Sequence, residues 1–490
     1  MEAMAHRLTR RQLLRRAGAG AAGLALTGGL GEVITGALAA SAHAGPARAP
    51  RWRSRPDLGI PTLNVLRSEA GVATDPIFIS PYNSPTGQVG AVITGNSGEP
   101  IWEHPLAANV IMNFRVQSYR GSPVLTWWEG SIELGHGVGE YVIADTSYRT
   151  VRRVQAARGL KGDLHEFLIT PRDTALLTTY LVRDADLRAV GGRRDGTIQD
   201  AIFQEIDLAT GRVLLEWHSF GSVSLQDSYS PVEADWDFFH INSVDLDRDG
   251  NFLVSSRSMH TVYKIDRSGE ILWRLGGKSS DFDMGPGAGF AWQHDVRRQR
   301  DGTLTVFDNG ATPAWEARSR GLILDVDEQA MTANLLHEYS HPKVLSGSQG
   351  SVQLLQNGNV FIGWGEVPRI SEFDQDGRLL FDALLGYEYE CYRAYRLPWS
   401  GRPAEAPAIA LAGRAGSLRA YASWNGATEV HTWRLLAGPT PTALSSVCSA
   451  QAAGFETTLR TRARQPWLAV QALDAGGTSL GYSQPVSIPV

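Results

Sequence analysis

Three histidines of this sequence stand at the start of similar β-rich segments, where they could form one polar site. They are His165, His240 and His294, found in the strings Asp-Leu-His, Phe-His-Ile and Gln-His-Asp. A neutral imidazole can act as a general acid, a general base or a nucleophile, and a protonated imidazole binds anions. A single histidine at the start of a strand is usually structural, but three in successive segments favour a shared catalytic site.

Two arginines and four amide side chains stand close to the repeated segments. Arg257 and Arg320 carry planar donor forks that match the oxygens of a sulfate or phosphate group. Solvated arginines, or arginines that cap a strand, are the alternative explanation. Asn309 belongs to an Asn-Gly pair, which is also typical of a turn. We predict that both arginines are catalytic and that four amides contact substrate: Asn242, Gln293, Asn309 and Gln349.

The segments that carry the histidines belong to a longer repeat, which determines the predicted fold. In each copy a valine is followed six residues later by the glycine of an Asp-Gly or Asn-Gly turn. These glycines, Gly250, Gly302 and Gly358, are between fifty and sixty residues apart, a period that suits a four-stranded propeller blade. Six such units fit the chain, so we predict an all-β fold with a six-bladed β-propeller over residues 54–402. The inner strands of a propeller line one channel, which would bring the histidines together.

The character of the sequence changes after Pro398. Residues 403–407 read Pro-Ala-Glu-Ala-Pro, a composition typical of a linker. Short alternating segments follow, with turn residues roughly every eight to twelve positions, as in immunoglobulin-like sandwiches. We therefore predict that residues 403–490 form a small C-terminal Ig/fibronectin type III-like β-sandwich with an accessory role.

The first residues of the chain resemble an export signal. Thr9-Arg10-Arg11-Gln12-Leu13-Leu14 is a twin-arginine signature, and Ala42-His43-Ala44 fits a cleavage site. A retained membrane anchor is the alternative, but the glycines and Glu32 make the intervening run a poor permanent span. We predict a signal peptide at residues 1–44 and a secreted or extracytoplasmic protein without stable membrane association.

The composition argues against nucleic-acid binding and gives little support for a metal site. A net charge of −5 and a pI near 6.2 provide no basic footprint for nucleic acid. Cys391 and Cys448 fall in different predicted domains, and a disulfide between them is an open alternative. Residues 245–249 carry the alternating acids of a calcium loop, but Ser256 replaces the expected bidentate glutamate. We therefore favour a hairpin turn there, with calcium as the alternative, and predict no metal.

An ordered set of motifs resembles the arylsulfotransferase family, in particular its actinobacterial and fungal branch. The resemblance covers about residues 54–402 and is specific because many motifs occur in the same order. It implies a six-bladed propeller without a cofactor, which passes a sulfuryl group between phenolic donors and acceptors through a sulfated histidine. The motifs are residues 54–58, 125–130, 163–167, 237–243, 255–257, 271–278, 293–295, 307–310, 351–353 and 364–365.

The resemblance matches His240 and His294 to two channel histidines of the family. The sequence departs from the family where the nucleophilic histidine is expected, since residues 348–351 read Ser-Gln-Gly-Ser. We therefore predict that His294 or His240 acts as nucleophile or acid/base. Arg257 and Arg320 are predicted to neutralise charge that develops on the transferring group.

Two other functions are consistent with the same residues. A propeller could hold a small aromatic or anionic ligand without converting it, because the family's nucleophile is missing. A hydrolase or lyase reaction on the same scaffold is the other alternative, since a fold does not determine a reaction. The favoured prediction is a PAPS-independent aryl-sulfate sulfotransferase whose partner is a small phenolic substrate or aryl sulfate. A homodimer is a possible oligomeric state.

Overall fold

Most segments in which apolar and polar residues alternate form β-strands. A computed structural model describes residues 51–84, 87–342 and 344–488, so the predicted signal peptide at 1–44 lies outside the described residues. The described chain is almost entirely strand, with two short 3₁₀ helices at Arg188–Val190 and Leu225–Asp227. The predicted all-β class is therefore confirmed. None of the helices in the described part of the chain is long and apolar enough to cross a membrane.

The strands are short and follow one another closely along the chain. The first twelve are β1 Asn64–Ser68, β2 Ile77–Ile79, β3 Val89–Thr94, β4 Pro100–Leu106, β5 Val110–Tyr119, β6 Ser122–Glu133, β7 His136–Ala144, β8 Thr150–Val154, β9 Phe167–Ile169, β10 Thr174–Ala185, β11 Gly196–Asp207 and β12 Val213–His218. The next fourteen are β13 Ile241–Leu246, β14 Phe252–Ser256, β15 Thr261–Ile265, β16 Ile271–Gly276, β17 Asp283–Met284, β18 His294–Arg298, β19 Leu304–Asp308, β20 Arg320–Asp327, β21 Thr332–Tyr339, β22 Ser351–Leu354, β23 Val360–Gly363, β24 Arg369–Phe373, β25 Leu379–Leu384 and β26 Tyr395–Arg396. The last eight are β27 Ala408–Arg414, β28 Ser417–Ser423, β29 Thr432–Thr440, β30 Ala443–Gln451, β31 Glu456–Thr461, β32 Trp467–Leu473, β33 Ser479–Tyr482 and β34 Val486–Ser487.

Strands β1 to β26 form six sheets of four or five strands. Four sheets use consecutive strands: β5 to β8, β9 to β12, β13 to β16 and β17 to β21. The other two combine strands from distant parts of the chain, in the orders β26-β2-β3-β4 and β1-β25-β24-β23-β22. Neighbouring strands are antiparallel, except that the two-residue β17 runs parallel to β21. The pairing of β2 with β26 and of β1 with β25 joins the two ends of this segment.

Large apolar side chains fill the space between successive sheets. One cluster joins Phe203 of β11, Phe239 before β13, Phe252 of β14 and Tyr263 of β15, all with 1% or less of their surface exposed. The rings of Phe203 and Phe252 lie 5.2 Å apart between two adjacent sheets. Each sheet therefore buries both faces against its neighbours, which explains why its strands are so apolar.

Strands β27 to β34 form two further sheets. One has the order β27-β28-β31, and the other has the order β30-β29-β32-β33, with β34 also paired to β32. Their inner faces pack Leu418, Leu435 and Val470 into a separate core. The amide of Asn425 forms two hydrogen bonds of 2.9 Å with the backbone of Glu103 in β4, which ties these sheets to the preceding part of the fold.

A group of buried charges connects four of the six sheets. Glu166, just before β9, pairs with Arg115 of β5 at 2.7 Å, with Arg297 of β18 and with Arg393 at 3.4 Å. Asp295 pairs with Arg297 at 2.9 Å and with Arg393 at 3.5 Å. Burial alone would raise the pKa of Glu166, but the three arginines lower it to about 2. These five residues, which we call the ionic centre, therefore remain charged inside the protein.

The acidic turn after β13 and the cysteines also have defined positions. Asp247 and Asp249 pair with Lys264 at 3.0 and 2.7 Å, and Asp247 also pairs with Arg298 at 2.9 Å. Lysine and arginine side chains therefore neutralise these carboxylates. This pairing is expected of the favoured hairpin turn and not of a calcium loop, whose carboxylates would bind the ion. Both cysteines are free thiols.

The ionic centre generates a stability prediction. Arg393 is fully buried, and replacing it in Arg393→Ala would leave Glu166 and Asp295 short of a partner. We expect the free energy of unfolding to fall by about 3–5 kcal/mol, the usual cost of breaking a buried ion pair. Urea unfolding followed by tryptophan fluorescence measures this change. Arg378→Ala, which removes an exposed arginine, is the control and should leave stability nearly unchanged; equal effects of the two variants would contradict the prediction.

Candidate functional site

The structure brings the three predicted histidines together at the inner ends of three sheets. His165 precedes β9, His240 precedes β13 and His294 begins β18. The rings of His165 and His240 are 4.8 Å apart between centroids, and those of His240 and His294 are 6.5 Å apart. Two of these histidines are sequence neighbours of residues in the ionic centre, since His165 precedes Glu166 and His294 precedes Asp295.

A tight turn fixes the orientation of His240. The buried rings of Phe238 and Phe239 anchor this turn, and His240 adopts a positive φ of 50°. One carboxylate oxygen of Asp237 accepts the backbone N–H of His240 at 3.0 Å, and the other accepts Nδ1. Since the carboxylate only accepts, Nδ1 carries the proton and Nε2 keeps its lone pair. No described residue forms a hydrogen bond with that Nε2, and 15% of the side chain is exposed.

His165 has the same arrangement. Oδ2 of Asp163 accepts both the backbone N–H of His165 at 3.0 Å and Nδ1 at 2.7 Å. Asp163 also accepts the N–H of Gly137 at 2.7 Å and the hydroxyl of Thr178 at 2.9 Å. Burial would raise the pKa of Asp163, but His165 and these donors lower it to about 2. The site therefore contains two Asp–His pairs, whose imidazole rings meet edge to face at an angle of 83°.

A fourth histidine, His136, belongs to the site and was missed by the sequence analysis. Its Nε2 donates to Oδ2 of Asp237 at 3.1 Å, and its ring is 5.6 Å from that of His240. Burial lowers the pKa of His136, but the bond to Asp237 outweighs it and the net shift is upward. His136 opens β7, which is not the first strand of its sheet, so the repeat register could not find it. The only local signal is its position in a Gly-His-Gly string.

His294 differs from His240 because both of its nitrogens are occupied. Its Nδ1 donates to Oδ1 of Asn309 at 2.7 Å, and its Nε2 accepts the backbone N–H of Gln349 at 3.2 Å. Burial and the charge of Arg257 hold the pKa of His294 well below its usual range. His294 is therefore a neutral ring without a free lone pair, and of the two predicted nucleophiles only His240 has an open Nε2.

The two predicted arginines have different environments. Arg257 donates to the carbonyl of Gly347 at 3.1 Å and lies 4.8 Å above the ring of Trp292, and no described carboxylate forms an ion pair with it. Burial lowers its pKa, although Asp237 and Glu366 act in the opposite direction. Arg320 instead pairs with Asp308 at 2.6 Å and with Glu338 at 3.2 Å. Arg257 thus has no ion-pair partner among the described residues, whereas the donors of Arg320 are used within the protein.

The amino groups of the four predicted substrate amides are used in protein contacts, whereas the side-chain oxygens of Asn242, Gln293 and Gln349 are buried without a hydrogen-bond partner among the described residues. Asn242 donates to the carbonyl of Gln293 at 2.6 Å, and Gln293 donates to Ser255, Ser256 and Thr261. Asn309 holds His294 and donates to the carbonyls of Ser346 and Gln349. The side chain of Gln349 donates to Glu390 at 2.8 Å. These amides position strands and rings, and the contact with substrate stays a prediction.

The charge state of His240 follows from its surroundings. Burial lowers its pKa from 6.5 to about 4, and the charges of His165 and Arg257 add to this effect, while Asp237 opposes it. His240 is therefore neutral at neutral pH. A neutral ring with an oriented lone pair, a second Asp–His pair and an arginine without a carboxylate partner can transfer an anionic group through a histidine.

Solved structures of known proteins resemble this chain only in overall shape. No curated protein matches the chain. Three solved structures are similar in shape: a protein of unknown function from Bacteroides caccae (13% identity, 66% of this chain and 98% of that chain, TM-score 0.41), a catalytically inactive virginiamycin B lyase from Staphylococcus aureus with quinupristin (12%, 73% and 94%, 0.34), and a protein from Lactobacillus plantarum (13%, 79% and 100%, 0.37). With TM-scores below 0.5, these similarities support no argument about this chain.

A family model gives the decisive match. The model described as arylsulfotransferase (ASST) matches residues 115–386, which is more than half of the chain. The matched range contains all four histidines of the site, both aspartates that orient them and Arg257. The chain belongs to the arylsulfotransferase family.

Proposed function

We propose that this protein transfers a sulfuryl group from an aryl sulfate to a phenol, with His240 as the nucleophile. The observation that supports this most is the state of the His240 ring, in which Asp237 holds Nδ1 and no described residue occupies Nε2. Arg257 acts electrostatically on the same ring and has no described carboxylate as an ion-pair partner, so it can bind the sulfate oxygens.

In the first half-reaction, Nε2 of His240 attacks the sulfur of the aryl sulfate. The N–S bond forms, the S–O bond to the aryl group breaks, and the phenolate leaves with the electron pair of that bond. The ring becomes an N-sulfonated imidazolium, whose positive charge is offset by the carboxylate of Asp237. Arg257 donates to the sulfuryl oxygens while the group passes between the two atoms.

In the second half-reaction, the oxygen of an acceptor phenol attacks the same sulfur. The N–S bond breaks and its electron pair returns to Nε2 of His240. Nε2 of His165 accepts the phenolic proton, while Asp163 keeps the ring oriented through Nδ1. His165 returns this proton to the departing phenolate of the next cycle, so the protons balance. The 4.8 Å between the two rings supports a shared substrate position.

The architecture proposed around this site is that of the sequence prediction. The six sheets would be the blades of a propeller over residues 54–402, closed by the pairing of β2 with β26. Residues 403–490 would be an accessory β-sandwich made of the two remaining sheets. We also propose that the histidines face the central channel and that residues 1–44 direct export. A homodimer stays an untested prediction.

Substitution of the two Asp–His pairs tests the proposed roles. His240→Asn should abolish transfer, because it removes the nucleophile. His165→Asn should lower turnover by about 10² or more, the usual scale for losing acid/base help. Arg257→Lys should also lower turnover, since lysine lacks the planar fork. The assay is release of 4-nitrophenol from 4-nitrophenyl sulfate with phenol as acceptor.

The matched control for these variants is His341→Ala. His341 accepts a hydrogen bond from Arg369 and lies outside the group of four histidines, so activity should stay within a few-fold of wild type. Mass spectrometry of the quenched enzyme should find a sulfonated His240. An active His240→Asn, or a sulfonated residue elsewhere, would contradict the assignment. Thermal stabilisation by aryl sulfates without any product would instead favour the non-catalytic alternative.

The pH dependence of the reaction provides a separate test. The nucleophile must be neutral, and the pKa of His240 is lowered from 6.5 to about 4. We therefore expect kcat/KM to stay constant as the pH falls through 6.5 and to decline only near pH 4, where His240 takes up a proton. Activity measured after return to neutral pH controls for acid unfolding. A decline of kcat/KM for the aryl sulfate centred near pH 6.5 would contradict the assignment of His240 as the nucleophile.

A further inference from the structure

The outer face of the β27-β28-β31 sheet carries four exposed arginines, which we call the arginine face. In β28, Leu418, Ala420 and Ala422 are buried in the core, so Arg419 points to the opposite side. The same alternation in β31 buries Leu459 and exposes Arg460. Arg414 at the end of β27 and Arg462 directly after β31 complete the set, and all four are exposed.

The arginines of this face have no acidic partners. Residues 403–490 contain six arginines, no lysine and four acidic residues. Of these acids, Glu456 accepts hydrogen bonds from Ser54, and Asp474 accepts the N–H of Thr478 in its own turn. None of the described carboxylates comes within the 4.0 Å of an ion pair with any of the four. The face is therefore strongly positive on a chain whose net charge is −5.

Two of these arginines are placed in an unfavourable arrangement. Arg419 and Arg460 are direct cross-strand neighbours in the register of β28 and β31. Like charges directly opposite each other on a sheet destabilise it. An exposed pair of this kind could be replaced by neutral residues without harm to the core, so its presence points to a bound anion that separates the two charges.

The arginines also border a groove that could hold such an anion. The groove has a volume of about 570 Å³ and is lined by Gly413, Gly416, Ser417, Arg419, Arg460 and Arg462. Gly413 and Gly416 have positive φ values of 101° and 87°, a left-handed backbone that glycine adopts most readily. Guanidinium forks bind the paired oxygens of sulfate or carboxylate groups with two parallel hydrogen bonds.

We propose that the arginine face binds an acidic polysaccharide. Its anionic groups would each contact a guanidinium, and its polar backbone would lie along the groove. Single-stranded nucleic acid is less favoured because binding it relies on exposed aromatic rings, and the aromatic ring of this face, Tyr421, is largely buried and covered by Arg53. A membrane surface is less favoured because β27, β28 and β31 expose no large apolar side chain that could insert. This proposal does not depend on the sulfotransfer reaction.

Binding of heparin to the full chain tests the proposal. In Arg419→Gln/Arg460→Gln the affinity for heparin, measured by calorimetry, should fall by about tenfold or more, since charge-assisted hydrogen bonds are lost. The melting temperature of the same variant should stay equal or rise, because two like charges are removed. Rising salt should weaken the binding of wild type more steeply than that of the variant.

Arg194→Gln/Arg300→Gln is the matched control. It removes two exposed arginines from turns in the preceding part of the chain and changes the net charge by the same amount, so it should bind heparin as wild type does. Polygalacturonate should bind as well, and neutral dextran should not. Equal affinity of wild type and of the Arg419→Gln/Arg460→Gln variant for heparin would overturn the proposal. So would tighter binding to single-stranded DNA or to anionic phosphatidylserine vesicles than to both acidic polysaccharides.

Discussion

The burial of Glu166 and Asp295 is the constraint on which the rest of this protein depends. Removing two carboxylates from water is unfavourable in free energy unless cations compensate for it. Three arginines from separate sheets surround these two carboxylates. The guanidinium of Arg393 also donates to the backbone carbonyl of Asn242 at 2.7 Å, which adds a fifth sheet to the group. Because a charge left unpaired in this position would be strongly unfavourable, the inner ends of the sheets must meet in one arrangement.

The same constraint positions the chemistry. His165 and His294 are sequence neighbours of Glu166 and Asp295, so fixing the carboxylates fixes the start of both strands. The ring of His165 then lies opposite that of His240, and Asp237 joins His240 to His136 from another sheet. The site is thus assembled by contacts between sheets, and each ring is oriented by a hydrogen-bond acceptor of the protein. Such an arrangement needs no movement before the substrate binds.

Much of this could be predicted from the sequence, because strands and turns are local. The repeated glycine turns predicted the β-strands that form the sheets. The position of His165, His240 and His294 at the starts of repeated strands predicted three imidazole rings of the site. His136 was not predicted, because it lies in a hairpin at the start of β7 and not at the start of the first strand of its sheet. The ion pairs of Arg320 could not be predicted, since its partners Asp308 and Glu338 come from other strands and cannot be recognised by spacing. The opposed arginines of β28 and β31 are visible only once the register of those strands is known.

The pairing of β2 with β26 and of β1 with β25 has a consequence for how the chain folds. The residues that meet there are more than three hundred positions apart, so two of the six sheets cannot be completed until nearly the whole segment has been synthesised. Contacts of such long range slow folding, because the entropy of closing the loop must be overcome first. A chain that ends before residue 395 keeps an open edge at β2, where further strands can add. Completion of these two sheets therefore separates full-length molecules, in which β2 is paired on both sides, from fragments that tend to aggregate through the open edge of β2.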